Sequence, residues 1–149
     1  MLAAVIADDE PLLRLELRDA LTDLWPELHV VGEVGDGAAA LLAIEAHRPA
    51  VSFLDVRMPK LTGLEVAERV QGMTQMVFVT AYDSHAIAAF EHGAVDYVLK
   101  PIRRPRLAAT IQRLKDRLAV GLANRAPNRP CLQWLQAATG KTLRFIAAQ

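Results

Sequence analysis

The chain holds one cysteine, Cys131, so it can form no disulfide within itself. Its apolar runs last only about four to six residues, far short of the ~20 that span a bilayer. The start, MLAAVIADDE, has no basic stretch ahead of its apolar residues and reaches acid by residue 8, which argues against a signal peptide. No internal repeat or low-complexity segment stands out. The histidines, His29, His47, His85 and His92, lack the tight spacing of a metal site. Trp25 and Trp134 read as core aromatics rather than stacking platforms. These absences favour a cytoplasmic protein with no membrane partner.

Hydrophobic residues are plentiful, at 52%, which excludes a disordered chain. A length of 149 residues allows one domain with a real core and a piece of another. The net charge of zero conceals a split. Residues 1–100 carry 7 basic and 16 acidic residues, whereas 101–149 carry 10 basic residues and Asp116 alone. Such a split suggests an acidic module joined to a basic arm, with two solvated faces of one fold as the alternative.

Five apolar runs punctuate the chain: Leu2–Ala7, Val30–Val34, Ala50–Leu54, Met76–Thr80 and Val95–Leu99. They are continuous rather than alternating, as buried parallel strands are. Between them lie helical patterns. Leu13, Leu17, Ala20, Leu21 and Leu24 recur at helical spacing after Pro11, and so do Leu107, Ile111, Leu114 and Leu118. Gly37–His47, Leu64–Val70 and Ser84–His92 fit shorter helices. Five such units predict an α/β fold, a doubly wound five-stranded parallel sheet of flavodoxin-like order 2-1-3-4-5. GLANRAPNRP, residues 121–130, should end the last helix and act as a linker. The final CLQWLQAATGKTLRFIAAQ reads as a β-hairpin around Thr139-Gly140-Lys141. A lone hairpin is marginal in water, so it reads as the start of a second domain.

Open α/β sheets bind ligands beyond the carboxyl ends of their strands. Those ends carry Asp8-Asp9 on the first strand, Asp55 on the third, Thr80 on the fourth and Lys100-Pro101 on the fifth. Two carboxylates about 4 Å apart repel by roughly 4 kcal/mol at an effective dielectric of ~20. Three together call for protons or a hard cation such as Mg2+. A carboxylate is also a nucleophile toward phosphorus, already ionised at neutral pH. The Lys100 ammonium would offset the charge that develops, and the Thr80 hydroxyl could donate to a phosphoryl oxygen. Each residue also has a plainer use. Asp8 or Asp9 suits a helix N-cap, Thr80 a strand interior, and Lys100 a snorkelling strand end. Asp55, between Leu54 and Val56, has no such structural use.

IADDEP, FLDVRMPKLTG, VFVTAYD and GAVDYVLKPI, in this order and spacing, resemble the response-regulator receiver domain of two-component signalling over about residues 1–122. The resemblance implies that Asp55 is the phosphoacceptor and that Asp8 and Asp9 hold Mg2+ with Asp55 and the backbone carbonyl of Arg57. It implies that Thr80 and Lys100 contact the phosphoryl group, that Thr80 and Tyr97 form the switch, and that Lys100-Pro101 is cis. Arg57 replaces a smaller residue of some members, with consequences for access of water or a partner. Implied partners are a sensor histidine kinase and a second copy, held through the helix 84–92, the fifth strand and the last helix, with Ile87, Phe90 and residues 103–118 on that face. The form VTAYDSHAIAAFEHGAVDYVLKPI resembles receivers joined to LytTR-type DNA-binding domains, whose opening strands the tail 131–149 also resembles. Residues 1–122 would then be the receiver, 123–130 a linker and 131–149 the start of a truncated output domain that carries any DNA contact. On this reading the chain signals and does not turn over an external substrate. Two alternatives stand beside it. One is a haloacid-dehalogenase-like phosphotransferase, whose nucleophile belongs on the first strand. The other is a phosphorylation-independent interaction module on the same fold.

Overall fold

The computed structural model describes residues 2–81, 91 and 93–124, with side chains as far as Val120. Five strands alternate with helices: β1 Leu2–Ala7, α1 Pro11–Leu24, β2 Leu28–Val34, α2 Gly37–His47, β3 Val51–Leu54, α3 Gly63–Arg69, β4 Gln75–Thr80, β5 Asp96–Leu99 and α4 Arg104–Asn124. All pairings are parallel, in the order β2-β1-β3-β4-β5. The fold is therefore the flavodoxin-like doubly wound sheet that the apolar runs predict.

Continuous apolar runs make these strands because both faces of the sheet are covered. Successive side chains point to opposite faces. Val5, Ala7, Leu54, Phe78 and Tyr97 join one buried cluster with Ala40 and Ile44 of α2 and Val66 and Ala67 of α3. The alternate residues Ala4, Ile6, Phe53, Val77 and Val98 are just as buried, on the opposite face. α1 and α4 are tied together by Arg104–Asp23, 2.8 Å, and by Lys115 over the Trp25 ring at 5.6 Å.

The predicted elements shift little. β2 begins two residues earlier than its apolar run, and α3 spans Gly63–Arg69 rather than Leu64–Val70. α4 carries on past Gly121 to Asn124, so no break falls within 121–124, and the rest of the expected linker lies outside the described residues. The helix predicted over Ser84–His92, apart from Glu91, lies outside the described residues, as do most of the linker and the hairpin 131–149. The chain divides into two units at Lys115/Asp116. Five of the ten basic residues after position 100 (Arg103, Arg104, Arg106, Arg113 and Lys115) thus belong to the first unit and lower its imbalance from −9 to −4. Arg104, Arg106 and Arg113 pair with Asp23 and Asp96. That pairing accounts for part of the charge split; a basic excess remains in the sequence beyond Lys115.

Candidate functional site

In a sheet of order 2-1-3-4-5, the chain runs outward from β1 to β2 through α1, then crosses back past β1 to β3 through α2. The crevice between β1 and β3 is the topological switch point, where such sheets bind ligands. Ala7 pairs with Leu54 across it. The next residues, Asp8 and Asp55, therefore stand side by side beyond the strand ends. Backbone bonds hold both: Asp8 N–H donates to Val34 at 3.0 Å, and Asp55 N–H to Ala7 at 2.9 Å.

Both carboxylates are buried, at 6% and 5% exposure. The Lys100 ammonium lies between them, 2.7 Å from Asp8 Oδ2 and 2.9 Å from Asp55 Oδ2, with Glu10 Oε1 at 3.4 Å. Lys100 is placed by β5, whose end lies against β4: its N–H donates to the Thr80 carbonyl at 2.8 Å. Thr80 is fully buried at the end of β4. The Lys100-Pro101 bond is cis. Arg57 is exposed, and its N–H reaches Asp55 Oδ1 at 3.3 Å. Tyr97 is buried in the cluster on the α2/α3 face, its ring 6.3 Å from that of Phe78.

The helix-cap use of Asp8 or Asp9 gives way to another arrangement. The N-cap of α1 is Glu10, which makes no side-chain capping bond, and Pro11 begins the helix. Asp8 Oδ1 instead accepts from the Glu10 N–H at 2.9 Å.

The electrostatics point one way. Burial lifts the Asp8 carboxyl above its ordinary range, more than the bonds from Lys100 and Glu10 return. Burial would lower Lys100, but its bonds to Asp8 and Asp55 overcome this and push it up to about 12. Each shift favours the form with the extra proton, so the site draws positive charge. Its cause is the number of acids. Asp8, Asp9, Glu10 and Asp55 offer oxygens that all lie within 4.8 Å of one another. Four carboxylates against one ammonium leave a formal charge near −3, and every donor is a hard oxygen. That set fits a hard divalent cation such as Mg2+. A cleft alongside is lined by Asp9, Val56–Pro59, Thr62 and Leu64.

Two charged residues enter that the motifs did not assign. Glu10 is the fourth acid of the cluster. Asp96 is 2% exposed at the start of β5. It accepts from both Arg106 Nη atoms at 2.9 and 2.8 Å, from Thr110 Oγ1 at 2.7 Å and from Tyr97 N–H at 2.8 Å, with Arg113 at 3.0 Å. These bonds, those from Arg106 foremost, outweigh the effect of burial and hold its carboxyl down to about 2. The signal was visible: an acid inside the apolar run VDYVL, with Arg106, Thr110 and Arg113 recurring on one helix face.

Residues 4–112 match the response regulator receiver domain model. An uncharacterized response regulatory protein of Vibrio cholerae is 42% identical, over 97% of this chain and 62% of its own length. The transcriptional regulatory protein BtsR of Escherichia coli is 41% identical, over 78% of this chain and 49% of its own length. The chain thus spans about half to three fifths of the length of these relatives. Among solved structures, the signal receiver domain of the putative response regulator NarL from Mycobacterium tuberculosis matches with a TM-score of 0.69 and 37% identity, covering 76% of this chain and 96% of that one. The response regulatory domain of mrkE from Klebsiella pneumoniae matches at 0.73 and 30%, covering 78% and 97%.

Proposed function

The chain belongs to the response regulator receiver domain family, and on that premise we propose that it is switched by phosphorylation of Asp55. The observation that carries the reading is the buried Asp55 carboxylate at the switch point, with Asp8 beside it and Lys100 2.9 Å away.

An Asp55 oxygen attacks the phosphorus of a phosphohistidine on a sensor kinase, or of a small phosphodonor. A P–O bond forms as the donor's bond to phosphorus breaks, and the leaving group departs with that electron pair. The carboxylate needs no general base. Lys100 stays beside the phosphoryl oxygens and offsets their charge. Asp8, Asp9, Asp55 and the Arg57 carbonyl would hold Mg2+, which supplies further neutralisation when bound. Thr80 would donate to a phosphoryl oxygen, and Tyr97, already buried in this structure, would repack as Thr80 moves. That biases a two-state change toward the face of residues 84–92, β5 and α4. The face controls pairing with a second copy and, through it, a DNA-binding output domain of LytTR type beginning near residue 131. A cytoplasmic setting accords with such a partner kinase.

Incubation with a labelled phosphodonor and Mg2+ tests the assignment. Asp55→Asn should abolish incorporation while leaving the far-UV spectrum unchanged. Undiminished labelling of that variant would remove Asp55 from the role.

A further inference from the structure

The loop that follows Asp55, residues 56–62, is held far more firmly than a surface loop requires. Val56 and Met58 are buried in the cluster on the α2/α3 face. They flank Arg57, whose carbonyl is assigned to the metal. The tip of the loop rests on the first turn of α2. Gly37 N–H donates to the Pro59 carbonyl at 3.1 Å. The approach is so close that a Cβ on Gly37 would overlap the Leu61 carbonyl oxygen. Asp36 Oδ1 caps α2 through Ala39 N–H at 2.7 Å, and its other oxygen lies 3.8 Å from Lys60 Nζ. Lys60 itself is left-handed, with φ 73, a conformation unfavourable for a residue with a Cβ. A lysine here keeps the strained turn and gains the Asp36 charge. At the loop's far end, a Cβ on Gly63 would overlap the Asp55 carbonyl oxygen.

We propose that the first turn of α2 is a positioning device for the phosphoacceptor loop. Asp36 and Gly37 grip Pro59–Leu61 and so set the course of residues 56–58 and the place of the Asp55 and Arg57 ligands. The inference rests on the assignment of Asp55 as phosphoacceptor with a bound divalent ion. Asp36 and Gly37 are positioning residues: they act through the loop and touch neither ion nor phosphoryl group.

Gly37→Ala must push the loop outward, because the atom it meets is backbone and cannot rotate away. Ala40→Gly is the control. It weakens the same helix one turn on, by about 1 kcal/mol, and leaves the Asp36 and Gly37 contacts to residues 59–61 in place. Calorimetric titration with Mg2+ alone, without phosphodonor, is the main readout. Gly37→Ala should weaken binding by about tenfold or more, as loss of outer support does in other metal sites, and Ala40→Gly should leave it within about twofold. Should Gly37→Ala fail to fold, Asp36→Ser keeps a capping hydroxyl and removes the Lys60 pair; it should weaken Mg2+ binding in the same direction. Unchanged affinity in a folded loop variant, or an equal loss in Ala40→Gly, overturns the proposal. The two ideas fail separately. If wild-type protein labels on Asp55 but the loop variants bind Mg2+ normally, the positioning role falls alone. If wild type does not label, the phosphoacceptor reading falls first.

Discussion

Lys100 bridges the two buried carboxylates at the switch point. Its ammonium is 2.7 Å from Asp8 and 2.9 Å from Asp55, with only 9% of the side chain exposed. Without metal it is the site's counter-ion; with metal it must share or yield Asp8. Lys100→Met should therefore bind Mg2+ more tightly, by about tenfold if roughly 1.4 kcal/mol of repulsion is removed at an effective dielectric of ~20. The same variant should be less stable in EDTA, since buried acids lose their partner, and should regain most of that stability in excess Mg2+. It should accept a phosphoryl group more slowly. Titration calorimetry and urea unfolding read the first two effects. Weaker Mg2+ binding would mean that the ammonium supports the ion rather than competing with it. Asp8, Asp55 and Lys100 were legible as residues because each ends an apolar run. Their distances were not, because they depend on strand order and on register, such as Ala7 against Leu54, which no single run encodes.

β5 is short, Asp96–Leu99, yet it serves two partners. Lys100 follows its last residue and reaches Asp55; Asp96 begins it and binds α4 through Arg106, Thr110 and Arg113. Motion at one end of the strand is thus joined to the helix at the other by a carboxylate with five donors. The stability cost of losing it can be bounded. The Asp96 carboxyl sits at about 2, below its ordinary 3.8, which is worth about 2 kcal/mol, less what solvent takes from the half-exposed arginines. A depressed acid stabilises the fold above its unfolded value and loses that contribution as pH falls. Wild type should therefore keep the full term down to about pH 4 and lose it progressively toward pH 2. Asp96→Asn should be less stable at pH 7 by up to about 2 kcal/mol and show a shallower fall over that interval. Urea midpoints at pH 7, 4 and 2.5 decide this, and parallel pH curves for the two proteins would rule it out. The elements themselves were legible: Leu2–Ala7 and Gly37–His47 coincide with β1 and α2. The role of Asp96 is not legible in its own run, because VDYVL forms a strand with or without partners for the acid, and those partners lie on α4.

Folding brings together what the sequence keeps apart. Asp8 and Asp55 are 47 positions distant in the chain, and only the closed sheet sets their oxygens and those of Asp9 and Glu10 within 4.8 Å. The repulsion among four acids is therefore a property of the native state, answered by one lysine. A divalent ion that relieves it binds the folded chain and finds no such site in the unfolded one, so mass action must raise stability. At ten times the dissociation constant the gain is about 1.4 kcal/mol, or roughly 4–10 °C in Tm for a unit of this size. Calorimetric scans in EDTA, in Mg2+ and in NaCl of equal ionic strength separate this from simple screening, which should shift Tm far less. Asp9→Asn refines the test, because Asp9 is exposed and takes no part in the Lys100 pairs. Removing that acid lessens the repulsion without stranding the lysine. The variant should be no less stable than wild type in EDTA and should gain distinctly less from Mg2+. A variant that loses stability in EDTA yet keeps the full Mg2+ increment would show that Asp9 serves the fold and not the ion, and would take the cluster's charge out of the argument for a functional site.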